Sequence, residues 1–491
     1  MAQFSSKLNQ VSGLRFIADA MELQSPLGRQ HLLKQKFMTS SREISLQLDK
    51  IEELVSLFPA DERTNSDQLG PLKHALSEVR DISGTLNALH AGMVLDDIGL
   101  FEVKRFALII YRLISILGVL KCKVVEFSDV SQVIAILDPD KQRIAHFYIY
   151  DSYSEKLADI RKQYQQLTND TLKTDYSDDP KGKQKSADLQ RVEELRLRTV
   201  AIEDEIRKDV SIKLRGYSVI LLENLSSAAD LDLWLAKALL AITLGLSKPT
   251  ISEKSQHTIY KQLFNPAIRA FLQDKGKTFQ PVDIEIYKNP TLITGANMAG
   301  KTVVLKTVAL AQTLFQFGFF VPAMEAIISP VDKVMTSMED EQSELKGLSS
   351  FASEMMNLNS IIHAAREGAN ILTLIDEPAK TTNPREGEAL VSALLEILIN
   401  NNVSGLITTH YTIDLPKCRR LRVAGLKTRE MLEMPSIENI QDHIDYSLVE
   451  LTVDDNHESS VPKEALTIAS ILNVDKELLN IAAKYLNISR Q

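Results

Sequence analysis

The densest chemistry in the sequence lies in the eight residues GANMAGKT, from Gly295 to Thr302. Their spacing, GxxxxGK[ST], is that of a loop whose backbone N–H groups converge on phosphate oxygens at the positive end of a helix. Gly295, Asn297 and Gly300 are expected to form the cradle, and Lys301 adds a point charge. Thr302 would offer its hydroxyl to Mg²⁺, an ion that prefers oxygen ligands and keeps most of its waters. ATP with Mg²⁺ is the expected ligand pair. A magnesium nucleotide also needs an acid at the end of a neighbouring strand, and the apolar run Ile371 to Ile375 ends in Asp376 and Glu377. Asp376 is expected to hold the ion's water shell, and Glu377 to orient and polarise the attacking water as general base. Without the phosphate loop, the pair would serve equally well as a helix cap. His410 follows a third apolar run, Gly405 to Thr409. A lone histidine is more often a structural hydrogen-bonding residue, but its place after the strand that follows Asp376 and Glu377 favours contact with the γ-phosphate.

Such residues need a scaffold that gathers three loop ends. TLIT is followed by a helical pattern from Lys301, ILTLID by one from Glu386, and VSGLITT by a turn. This alternation predicts a mostly parallel α/β sheet over residues 276–425. Upstream, residues 41–275 read as mainly helical: Ile44, Leu48, Ile51, Leu54 and Val55 recur at helical spacing. Within residues 121–152, two apolar runs joined by Asp138, Pro139 and Asp140 predict a β-hairpin. Two charge-rich helical arms are expected within about 154–215, separated by a polar, flexible tip at 168–186 that lacks apolar periodicity. The run Leu231 to Leu246 carries Asp232 and Lys237, so it reads as buried core rather than a membrane span. A polar connector at Asp274 to Lys277 sets the expected change of fold near 275. Residues 1–40 form an N-terminal segment, and residues 426–491 C-terminal strands and a small helical element.

Composition narrows the class. Among 491 residues, 44% are apolar and 25% charged, with only 19 Gly and 16 Pro, which fits a folded protein of two or three domains rather than a disordered or fibrous one. Cys122 and Cys418 are too far apart in sequence to suggest a zinc site or a disulfide framework, so a reducing compartment is expected. The N-terminus shows no secretory signal pattern, and the expected location is the cytoplasm. A net charge of −9 argues against a broad basic grip on nucleic acid and leaves room for a local patch.

Several of these stretches together resemble one family, the ABC-type ATPase domain of the MutS mismatch-repair proteins. TGANMAGKT looks like the family's TGPNMGGKS, and Gly318 to Ala323 resembles its G-x-F/Y-V-P-A strand. Leu348 to Met355 is similar to the S-T-F-x-x-E-M signature, and Thr409, His410 and Tyr411 to T-H-Y. The resemblance implies an α/β P-loop ATPase preceded by a helical core and lever domain with two long arms. It also implies a homodimer, in which residues 463–487 help dimerise and Ser349 reaches the partner's γ-phosphate; Ser349 also suits a helix N-cap. Three departures stand out. No mismatch-reading domain is expected ahead of the helical core, the polar tip is expected to take the place of a folded DNA clamp, and Pro378 to Pro384 replaces a Gly-Arg-Gly-Thr-Ser-Thr pattern. The last loop looks like that of MutS-related ATPases associated with reactivating the adenosylcobalamin-dependent lysine 5,6-aminomutase. On that likeness a protein client is favoured over the alternative of mismatched or branched DNA, and no membrane is implied.

Overall fold

A computed structural model describes residues 2–58, 62–173, 183–252, 257–295, 299–338, 350–411, 413, 415, 418–426, 444–451, 466, 469 and 474–488. The chain divides into two compact units, one of residues 1–22, 33–55 and 237–491, the other of 23–32 and 56–236. The division falls inside the helix Ser218–Leu244 rather than near 275. No glycine or proline interrupts the sequence between Ser218 and Leu244, and the helix runs on until Gly245 turns the chain at φ 67°.

Among its described residues the first unit holds ten strands: β1 (Thr250–Ile251), β2 (Thr258–Leu263), β3 (Val282–Ile286), β4 (Pro290–Thr294), β5 (Glu325–Ile328), β6 (Lys333–Ser337), β7 (Ile371–Ile375), β8 (Ser404–Thr408), β9 (Arg419–Leu426) and β10 (Ile444–Glu450). A four-stranded sheet has the order β1-β5-β2-β3, and a six-stranded sheet the order β10-β9-β4-β8-β7-β6. In the larger sheet every neighbouring pair is parallel except β9 with β10. Strands β4, β7 and β8 are buried at every position, as strands covered on both faces must be. Leu292, Ile375 and Ile407 pack with Ile361, Val391 and Leu395 of the helices Ser350–Arg366 and Pro384–Asn400. The almost wholly buried helix Lys301–Gln316 packs on β6, β7 and β8 apart from that cluster. Its C-terminal turn is closed by the buried Lys237, which donates to the Phe317 carbonyl at 2.7 Å, a favourable place for a cation. Helix Ser41–Ser56 buries Ile44, Leu48, Ile51 and Leu54.

The second unit is helical among its described residues. The 24-residue helix Asp97–Leu120 starts at Asp96, whose side chain accepts from Gly99 N at 2.8 Å, and ends where Lys121 turns left-handed at φ 53°. The hairpin expected around Asp138 is absent. Residues Ser131–Leu137 form a helix that buries Val133, Ile134 and Leu137 at helical spacing, which outweighs the β preference of valine and isoleucine. The run HFYIY then has no strand to pair with. Instead Asp138 is wholly buried against Lys104 at 2.9 Å, and Lys104 also donates to the Tyr150 hydroxyl at 2.7 Å. The helices Glu155–Lys173 and Lys183–Arg215 lie antiparallel, with Arg161 early in one bound to Glu203 late in the other at 2.7 Å. Both extend into the stretch read as a polar loop, because helix propagation adds a backbone bond per residue without needing an apolar stripe. Residues 174–182 of that tip lie outside the described residues. No described helix is long and apolar enough to cross a membrane.

Candidate active site

Parallel strands align their carboxyl ends, and here three of them deliver the expected chemistry to one place. Ile293 of β4 pairs with Thr408 of β8, and Ile407 of β8 with Ile375 of β7. Residues just beyond Thr294, Ile375 and Thr408 are therefore neighbours. Gly300 precedes the helix Lys301–Gln316 at φ 77°, a left-handed conformation that glycine adopts without strain. A side chain there would also meet Tyr446 of β10, since a Cβ would stand 3.0 Å from the ring.

The Lys301 side chain is only 3% exposed and bridges the loop mouth: its ammonium donates to the Gly295 carbonyl at 2.8 Å and lies 3.4 Å from Glu377 Oε1. Burial pulls the Lys301 pKa down, opposed by the Glu377 and Asp376 carboxylates. Thr302 donates to Asp376 Oδ2 at 2.7 Å, which brings the hydroxyl and carboxylate expected for magnesium side by side. The other carboxylate oxygen, Oδ1, accepts from Thr408 at 2.6 Å. That same Thr408 hydroxyl accepts from the backbone N of Glu377 at 2.9 Å.

Glu377 Oε1 lies 2.5 Å from His410 Nε2. The hydrogen bond with His410 holds the Glu377 pKa down at about 2; the charges of His410 and Lys301 add to this while burial opposes it. Glu377 is ionised throughout the neutral range. Its backbone is left-handed at φ 43°, as is Ala379 at φ 60°. For residues with a side chain this costs about 1–2 kcal/mol each, so the turn after β7 is held rather than relaxed.

Of the residues singled out in the sequence, Gly295, Gly300, Lys301, Thr302, Asp376, Glu377 and His410 converge here. Asn297 and Ser349 lie outside the described residues. Sequence reading missed Thr408, although a threonine closing an otherwise apolar strand directly before Thr409 and His410 was a visible signal. Tyr446 carried no signal, being far along the chain. Among the described residues no cluster of three or more His, Cys, Asp or Glu could hold a metal. The set here, one hydroxyl and one carboxylate, suits an ion completed by phosphate and water oxygens.

Comparison with known proteins bears on this arrangement. Residues 291–484 match the family model for MutS domain V. Over that part the chain is similar to the MutS family. Endonuclease MutS2 of Carboxydothermus hydrogenoformans is 37% identical over 219 residues, 44% of this chain and 27% of that protein. Endonuclease MutS2 of Thermus thermophilus is 35% identical over 222 residues, covering 45% and 28%. DNA mismatch repair protein MutS of Thermus aquaticus is 31% identical over 250 residues, covering 50% and 29%. The matched part of the chain thus spans less than a third of each of these relatives. The family-model match, 291–484, includes every strand end that contributes to the site, and the helical content and α/β sheets fit a MutS domain V.

Proposed function

We propose that the chain is a MutS-type switch that binds and hydrolyses ATP and couples the nucleotide state to DNA. The observation that carries the reading is the convergence of Lys301 with Glu377 at 3.4 Å and of Thr302 with Asp376 at 2.7 Å, at adjacent strand ends. Backbone amides around Gly300 and the Lys301 ammonium would bind the β- and γ-phosphates. Thr302 and Asp376 would hold Mg²⁺, which when bound neutralises charge on the phosphate oxygens. Glu377 would accept a hydrogen bond from the attacking water and take up its proton as the bond between the γ-phosphorus and the bridging oxygen breaks. A carboxylate with a pKa near 2 is a weak base while Lys301 and His410 hold it. Drawing Lys301 toward phosphate would raise its basicity, so nucleotide binding itself readies the base. His410, a third exposed and bound to Glu377, would contact the γ-phosphate as well.

The names of the relatives, an endonuclease and a DNA mismatch repair protein, shift the balance toward DNA and away from the protein client or aminomutase expected from the loop at Pro378. A homodimer with nucleotide at its interface remains part of the proposal through the family likeness. The test is hydrolysis of γ-labelled ATP by the 491-residue chain, with Lys301→Ala and Glu377→Gln alongside. Hydrolysis lost in both variants, with nucleotide binding lost only in Lys301→Ala, is the expected result. Normal hydrolysis by Lys301→Ala would overturn the reading. Gel filtration with branched or mismatched DNA in ATP and in ADP tests the coupling: nucleotide-dependent retention supports it. Retention of a protein without DNA returns the protein client to first place.

A further inference from the structure

The turn after β7 is fixed by groups that come from outside it. Glu377 and Ala379 are both left-handed and neither is glycine, so this backbone needs external support to persist. Ala379 has both of its polar groups taken. Its N–H donates to Glu354 Oε1 at 2.8 Å, and its carbonyl accepts from the Tyr411 hydroxyl at 2.9 Å and, more weakly and from within the turn, from Thr382 N at 3.3 Å. Burial, and then the nearby Glu354 charge, push the Tyr411 pKa up, which keeps the hydroxyl protonated and able to donate. Tyr411 reaches Ala379 only because position 387 is glycine: a Cβ there would lie 2.2 Å from the hydroxyl oxygen. The methyl of Ala379 is itself wholly buried.

We propose that Glu354 and Tyr411 are positioning residues for hydrolysis. By gripping the N–H and the carbonyl of Ala379, they hold Glu377, two residues upstream, where its carboxylate meets Lys301 and His410. They act through the turn rather than on the reacting atoms. Glu354 sits one turn into the helix Ser350–Arg366, so displacement of that helix is transmitted to the general base through a single hydrogen bond. The proposal rests on the ATPase reading of the site and deepens it by naming what sets the base.

The experiment measures ATP turnover and affinity for a fluorescent ATP analogue on the 491-residue chain with Glu354→Ala, Glu354→Gln and Tyr411→Phe. Misplacing a catalytic group by a fraction of an ångström to an ångström costs about tenfold to a hundredfold in rate. A fall of about that size in kcat is expected for Glu354→Ala and Tyr411→Phe, with KM and analogue affinity within about twofold. Glu354→Gln restores most of kcat, because its amide oxygen still accepts from Ala379 N. Should Glu354→Ala fail to fold, Tyr411→Phe, which removes one oxygen, carries the test. Unchanged kcat in Glu354→Ala or Tyr411→Phe overturns the proposal, as does a parallel loss of kcat and affinity with no rescue by glutamine. Turnover that is abolished by Lys301→Ala but indifferent to both positioning variants defeats this proposal alone. No turnover by the unaltered chain with Mg²⁺ defeats the ATPase reading and this with it.

Discussion

Thr408→Val exchanges a hydroxyl for a methyl of similar size at a fully buried position, so it separates hydrogen bonding from shape. The hydroxyl donates to Asp376 Oδ1 at 2.6 Å and accepts from Glu377 N at 2.9 Å. Losing a hydrogen bond to a charged acceptor costs about 1.5–3 kcal/mol, and leaving the backbone N–H without its partner about 1–3 kcal/mol. The Asp376 oxygen can recover a water at the mouth of the site, so a net loss of about 3 kcal/mol is expected. Thr408→Ser keeps both bonds and gives up one methyl, about 1 kcal/mol. In calorimetry of the 491-residue chain, the valine variant should lower the melting transition of the unit carrying the site by about 6–10 °C, and the serine variant by about 2–4 °C. Turnover should follow the same order, since the freed N–H belongs to Glu377. A valine variant that melts within about 1 °C of the parent and hydrolyses ATP normally would show that this hydroxyl does not hold the two carboxylates, and the hydrogen-bond account of the site would fail.

Three further outcomes follow from other contacts. Because the folded pKa of Glu377 is depressed to about 2 from an ordinary 4.5, its contribution is full above pH 4.5 and lost as pH falls toward 2. That shift amounts to about 3 kcal/mol, so urea midpoints of the parent should drop between pH 5 and 3 more than those of Glu377→Gln; equal drops would refute it. Lys104→Met leaves Asp138 wholly buried without its cation and should destabilise the helical unit by about 3–5 kcal/mol, read by fluorescence of the sole tryptophan, Trp234, while Lys104→Met with Asp138→Leu should recover most of the loss. Gly387→Ala drives a methyl to within 2.2 Å of the Tyr411 hydroxyl, with the Ala379 carbonyl 3.1 Å away; turnover should fall while affinity for ATP is kept, and an unchanged kcat would show that the ring has room to move.

Much of the site was legible because its signals are local. The glycine and lysine spacing, the acidic pair after an apolar run and the order of strand and helix each occupy under ten residues, and each points to a strand end. Parallel pairing then does the rest, since it brings those ends into register. What escaped were contacts between distant segments: Thr408 bridging two acids 32 and 31 residues upstream, and Glu354 reaching Ala379 across 25 residues. Neither residue type is unusual where it stands. The false hairpin near Asp138 had the opposite origin. A short run of β-branched residues satisfied a local rule, whereas burial at positions 133, 134 and 137 and the buried Lys104 decided for helix.

The turn after Glu377 shows how one departure from a family pattern is accommodated. The MutS pattern that this chain resembles is glycine-rich there, and glycine adopts left-handed backbone freely. Here the stretch runs from Pro378 to Pro384 with no glycine, yet Ala379 still stands at φ 60°. Alanine makes that conformation costly, and the compensation is spread over three other segments. A carboxylate from the helix Ser350–Arg366 takes the N–H, a hydroxyl after β8 donates to the carbonyl, and a missing side chain at Gly387 admits that hydroxyl. A glycine turn would bend by itself and leave Glu377 free to wander. An alanine turn gripped from both sides ties the position of the carboxylate to the packing of two helices, so on the proposed ATPase reading a signal that shifts those helices would act on hydrolysis.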